Sequence, residues 1–333
     1  MKRSGCGVFR INPTSIAHYH SLVLILACMA VSNVSAAEVD WASIDGKTIK
    51  VFYPGVSSFD FLKGNDHGTG AAPVKTMKKA CAECHVSKTG EYDINADKII
   101  AGSLNKAKSG EPLEPEAMPG MPGFKEVELK AAYDAENVYL RFQWQGSGAS
   151  VADPALAKDD KADRISVQIS DNISSFEKFG CFVTCHDDQT NMPANRGDEV
   201  KLYGYYTRNE DGSLKPQDKL DEHLSKGQFM DLWVLSFEGA EVKATDEYIL
   251  QERAKDDKND LAATGTFENG KYTVVVTRKL STGDAKDIAL KDGKSFNAGF
   301  SVHDNKNKGR KHYVSFPVSI GLSSPADIAA RKF

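Results

Sequence analysis

The chain has 333 residues, 41% of them hydrophobic and 26% charged, which is an ordinary globular balance and excludes wholesale disorder. Without the leading Lys2, Arg3 and Arg10, the 42 basic residues fall to 39 against 46 acidic ones, a net charge of −7. That balance argues against nucleic acid and against an anionic membrane surface as partners.

The first 36 residues read as a secretory signal. A basic front is followed by the short apolar run Ser21–Val31 (SLVLILACMAV) and by small residues at Val34-Ser35-Ala36. The run is shorter than the roughly 20 apolar residues that span a bilayer. The mature chain is therefore expected to be soluble, in the periplasm, without stable membrane insertion.

Thr48–Tyr53 (TIKVFY) alternates polar and apolar residues as a strand does and ends at the turn Pro54-Gly55. Residues 67–125 are rich in Gly, Pro and Lys and read as loops, with a short helix at Lys75–Ala80. They contain Cys81-Ala82-Glu83-Cys84-His85, the C-x-x-C-H pattern of c-type haem attachment. Two thiols add to the two vinyl groups of one porphyrin, and the next residue presents an imidazole to the iron.

Val127–Ala132 and Val138–Trp144 form a strand pair around Tyr133–Asn137, and Arg164–Ser170 is a further alternating strand. Then comes Cys181-Phe182-Val183-Thr184-Cys185-His186, the same pattern with one extra residue between the thiols. Small disulfides or a zinc site are the competing readings of these cysteines, but neither requires a histidine after the second cysteine of both pairs. Strands are expected at 228–237, 271–278, 296–302 and 312–318, and a helix near Leu214–Lys226. Asp153–Asp163 (DPALAKDDKAD) and Ala254–Asp260 (AKDDKND) read as charged surface loops without function.

Each iron has a second axial position, where histidine gives a low potential and methionine a higher one. The candidates are His303, His312 and His67, with His223 expected on a solvated helix face and Met118, Met121 and Met192 as weaker alternatives. His303 and His312 stand near the two ends of SVHDNKNKGRKHYVS, two strands joined by a polar turn.

The chain resembles the cytochrome c / DMSO-reductase-like haem-binding family, which includes the gamma subunit of ethylbenzene dehydrogenase, and within it the exported dihaem branch. The resemblance is carried by Val51–Ser58 (VFYPGVSS), CAECH, Ala131–Trp144 (AAYDAENVYLRFQW), Gly180–Asp188 (GCFVTCHDD), Phe229–Trp233 (FMDLW) and Phe300–Leu322. It implies a mainly β fold: a DOMON-like antiparallel β-sandwich with haem-bearing loops and few short helices. It also implies a signal peptide over 1–36, an N-terminal segment with the first haem over 37–125 and the sandwich with the second over 126–333.

The cofactors implied are two covalent haem c groups on Cys81/Cys84 and Cys181/Cys185, with His85 and His186 as proximal ligands. The gamma subunits hold a non-covalent haem b through methionine and lysine. Here histidines crowd the closing hairpin, so His303 or His312 takes that role, and His67 or the other of the pair serves the second haem. The implied function is periplasmic electron transfer from a membrane-anchored multihaem quinol dehydrogenase, or another cytochrome, to a periplasmic reductase. The alternatives are a haem enzyme reducing peroxide or a nitrogen oxide at an open iron, and a haem subunit of a molybdenum oxidoreductase.

Overall fold

Alternation of apolar and polar residues dictates most of the strands. The computed structural model describes residues 39–54, 79–105, 110, 112–114, 117–159, 162–183, 204–209, 213–304 and 312–333. The signal segment, His67, Cys185, His186, Met192 and most of the helix expected at Lys75–Ala80 lie outside them. In β2 (Phe124–Tyr133) and β3 (Asn137–Gln145), the cross-strand pairs Val127–Trp144, Leu129–Phe142, Ala131–Leu140 and Tyr133–Val138 all face inward. Asp134 closes their turn by accepting from the backbone N–H groups of Glu136 and Asn137, both at 2.7 Å.

The sheet runs in the order β7-β6-β5-β4-β10-β11-β1-β2-β3-β9-β8. Here β1 is Lys47–Phe52, β4 Arg164–Ile169, β5 Met230–Glu238, β6 Glu241–Ile249, β7 Arg253–Lys255, β8 Leu261–Glu268, β9 Lys271–Lys279, β10 Lys294–His303 and β11 His312–Val314. It folds over on itself as a sandwich. β10 serves both layers: its second half pairs with β11, which reaches β1 at Phe52–Val314. Its first half pairs with β12 (Val318–Leu322), which joins β2 through β13 (Ile328–Lys332) in parallel. The strand expected over 312–318 is cut short at Val314, because the chain breaks at Ser315–Pro317 where proline cannot donate to a ladder, and β12 begins only at its last residue, Val318.

Rings meet across the interior: Phe142 stands 5.5 Å from Phe300 and Trp144 6.4 Å from Phe237. Each such buried side chain contributes roughly 1.5–3 kcal/mol. The helices are short: α1 Ala96–Ile100, α2 Ala149–Ala152, α3 Phe176–Phe179 and α4 Gln217–Ser225. The expected mainly β sandwich with few short helices is the architecture observed.

The period-2 alternation also defines an outer face on the β5-β4-β10-β11-β1-β2 stretch. One transverse row crosses it through Val234, Ser166, Ser301, Val314, Phe52 and Phe124. The next row holds Arg164, His303 and His312.

Candidate haem-binding face

The first motif sits on a turn that its own backbone closes. Cys81–Glu83 is one 3-10 turn, and the N–H groups of Cys84 and His85 both donate to the Cys81 carbonyl, at 3.1 and 2.9 Å. Both thiols and the following histidine are therefore carried by one loop of backbone. A small hairpin follows. Asp93 N–H donates to the His85 carbonyl at 2.8 Å and Ser87 N–H to the Glu91 carbonyl at 2.7 Å, while Gly90, at φ +83°, lets the chain turn. His85 Nδ1 lies 3.3 Å from the Asp93 carbonyl. A carbonyl only accepts, so Nδ1 carries the proton and Nε2 the lone pair, the tautomer an axial iron ligand needs. Cys84 is exposed and Cys81 half-buried. Burial pushes the Cys81 thiol up to about 11.

The second motif depends on the whole fold. After α3 the backbone turns at Gly180, whose φ of +56° and ψ of −138° only glycine adopts readily. A Cβ there would stand 2.7 Å from Pro317 N. The next turn, Gly180–Val183, lays Cys181, 5% exposed, against β10. Its Sγ is 2.7 Å from where a Cβ on Gly299 would be, so the strand has room for the sulfur only because residue 299 is glycine. Burial pushes this thiol up as well. Its expected partners Cys185 and His186 lie outside the described residues.

The two motifs meet. Tyr92, from the first hairpin, stacks on Phe316 at 4.5 Å and 20°, and Phe182, from the second motif, stacks on Phe316 at 4.7 Å and 23°. Cys81 and Phe182 also both pack against the outer-face cluster of Ile173, Phe176, Met230 and Val234. The sequence reading missed Tyr92, Phe182, Phe316, Gly180 and Gly299. Only the glycines left a signal: one immediately before a cysteine motif, one inside a strand pattern.

His303 and His312 are cross-strand partners with rings stacked at 4.6 Å and 9°. His303 and Gly299 project from the same face of β10, four residues apart, a rise of about 13 Å. Next to the pair, Lys125 binds Asp304 at 2.6 Å and lies 5.3 Å from the Tyr313 ring centre, which ties β2 to the hairpin. His223 lies on α4, as the sequence placed it. It is partly buried instead of fully solvated, because Nδ1 reaches Gln228 Oε1 at 2.7 Å and the ring abuts Tyr206 at 5.3 Å. Met118 and Met121 pack against the main core.

The donor set fits haem. Paired thiols stand directly before a histidine of the right tautomer, aromatic walls suit a flat macrocycle, and further imidazoles share the face. Cys81, Cys84 and Cys181 would anchor the groups and His85 would ligate iron.

The family model described as ethylbenzene dehydrogenase matches residues 39–259 and 244–315. The chain is 32% identical over 301 residues to cytochrome c-552 of Stutzerimonas stutzeri, covering 90% of this chain and 92% of that one. It is 27% identical over 300 residues to cytochrome c-551 of Rhodocyclus tenuis, covering 88% and 99%. Among solved structures, a family 9 carbohydrate-binding module from Caldicellulosiruptor kristjanssonii in complex with cellotriose aligns with a TM-score of 0.28 at 10% identity, over 60% of this chain and 68% of that one.

Proposed function

The chain belongs to the ethylbenzene dehydrogenase family, and from that premise we propose that it is a haem-carrying electron-transfer cytochrome. It bears two covalent haems, on Cys81/Cys84 and Cys181/Cys185, with His85 and His186 as proximal ligands. His303, His312 and His67 are the candidate distal ligands. Bound haem supplies one-electron exchange at iron. The residues of this chain hold it, set the imidazole tautomer and screen it from water with aromatic rings.

The observation that carries the proposal is the clamp on Phe316, which brings one ring from each motif onto one face. Two haems anchored on either side of that clamp would favour passage of electrons between them over two separate activities. The chain works in the periplasm, between a membrane-anchored quinol-oxidising multihaem cytochrome, or another cytochrome, and a periplasmic reductase. Among the described residues no helix is long and apolar enough to cross a membrane.

The test is ligand binding to the reduced protein. Two six-coordinate irons leave carbon monoxide unbound, and His303→Ala or His312→Ala opens a carbon monoxide site on one haem. Carbon monoxide binding by the unaltered protein would favour the enzyme reading, with an open iron. Co-purification with a molybdenum subunit would favour the third reading.

A further inference from the structure

Inside the sandwich, where β5 begins and β6 ends, three carboxylates converge. Asp231 comes from β5, Asp246 from β6 and Asp287 from the connection between β9 and β10, and one oxygen of each lies within 4.8 Å of the others. Asp231 is 0% and Asp246 2% exposed. Asp231 is fully used: it accepts from Trp233 Nε1 at 2.7 Å, from Ile288 N–H at 3.0 Å and from the Arg278 guanidinium. Asp246 is not. Its Oδ2 accepts from Asp260 N–H at 3.3 Å, but its Oδ1 is buried with no hydrogen-bond partner, as is Oδ2 of Asp287.

The charges do not balance either. Arg278 is one cation for three acids, two buried and one, Asp287, half-buried. The nearby Lys286 is taken by Asp256 and Asp257, at 3.7 and 2.8 Å. The Asp256 side chain is 3% exposed within a segment, AKDDKND, that otherwise lies largely at the surface as its composition suggests. Its backbone is fastened to Asp246, whose carbonyl accepts from Asp256 N–H at 3.0 Å. Were all three ionised, Arg278 would leave two negative charges unmatched, and with an orphaned oxygen on two of the groups this is what a divalent cation would neutralise.

We propose that Asp231, Asp246 and Asp287 bind one calcium ion, which ties the β5–β6 hairpin to the connection before β10. Calcium is the class that fits: the donors are all hard oxygens, and calcium accepts irregular, dehydrated oxygen shells that magnesium, with its strict octahedron and retained waters, resists.

The test uses the mature haem-loaded protein, stripped with a chelator and titrated with calcium chloride or magnesium chloride, following bound metal and melting temperature. The expected result is one calcium per chain with a raised melting temperature, a much weaker response to magnesium, and haem absorption unchanged. Asp287→Asn, at the half-exposed member, should weaken calcium binding by about tenfold or more while the protein still folds, and Asp246→Asn should abolish it. If Asp246→Asn fails to fold, the wild-type stoichiometry and the Asp287→Asn titration decide alone. No bound calcium, equal affinity for magnesium, or wild-type affinity in Asp287→Asn would overturn the proposal.

Discussion

The two cysteine motifs are built on different foundations. The first stands on a hairpin that closes with its own backbone hydrogen bonds, and Cys84 lies open to solvent. The second is laid under the fold: Cys181 is buried against β10, and both Gly180 and Gly299 are required to admit it. The attachment proposed for both would thus rest in one place on local sequence and in the other on tertiary packing. Changes around the first should act locally, and changes around the second should act on the fold.

The largest expected effect falls where the foundations meet. Phe316→Ala removes the ring, 3% exposed, that Tyr92 and Phe182 clamp, and should cost about 3–5 kcal/mol in chemical denaturation while shifting the signals of both haems. A shift confined to one haem would mean the clamp is not shared. Gly299→Ala comes next. Its Cβ would stand 2.7 Å from Cys181 Sγ, so it should cost about 1–3 kcal/mol and perturb the second centre alone.

Replacing Cys81 and Cys84 together by serine should lower the mass by one haem, about 0.6 kDa, and leave the signal of the second centre in place. Loss of both haems would show that the second motif leans on the first. The smallest effect belongs to the first hairpin's surface tether, where Lys50 holds the Glu91 carboxylate at 2.7 Å and so keeps Glu91 below the usual carboxylate range. A depressed carboxyl adds stability above its unfolded value and loses it as pH falls through its folded one. Melts of Lys50→Ala and wild type should therefore differ slightly near about pH 7, with the gap narrowing as pH falls through the depressed Glu91 value.

Much of this was legible in the residues. The inward-facing pairs of β2 and β3, the strand at β5 and the His303–His312 hairpin all follow from alternation, and the C-x-x-C-H turn follows from its motif. Four strands had no counterpart in the expected set, and a fifth, β12, overlaps it only at Val318. β8 (LAATGTFE) has small residues and a half-exposed face, and β6 (EVKATDEYI) mixes charges into the face that turns inward, so neither shows a clean apolar stripe. β7 and β13 are too short for a periodic signal. The Phe316 clamp joins residues far apart in the chain, and no local pattern announces a contact of that kind. The AKDDKND segment lies largely at the surface, as its charge density suggests, and only the Asp256 side chain turns in, toward Lys286.

The most direct measurement is the mass of the mature protein after expression with haem-attachment machinery. Two covalent haems add about 1.2 kDa to the processed chain and would persist under denaturing conditions. An increment of one haem would reduce the Cys181 turn to a structural element, and no increment would contradict the account at its root.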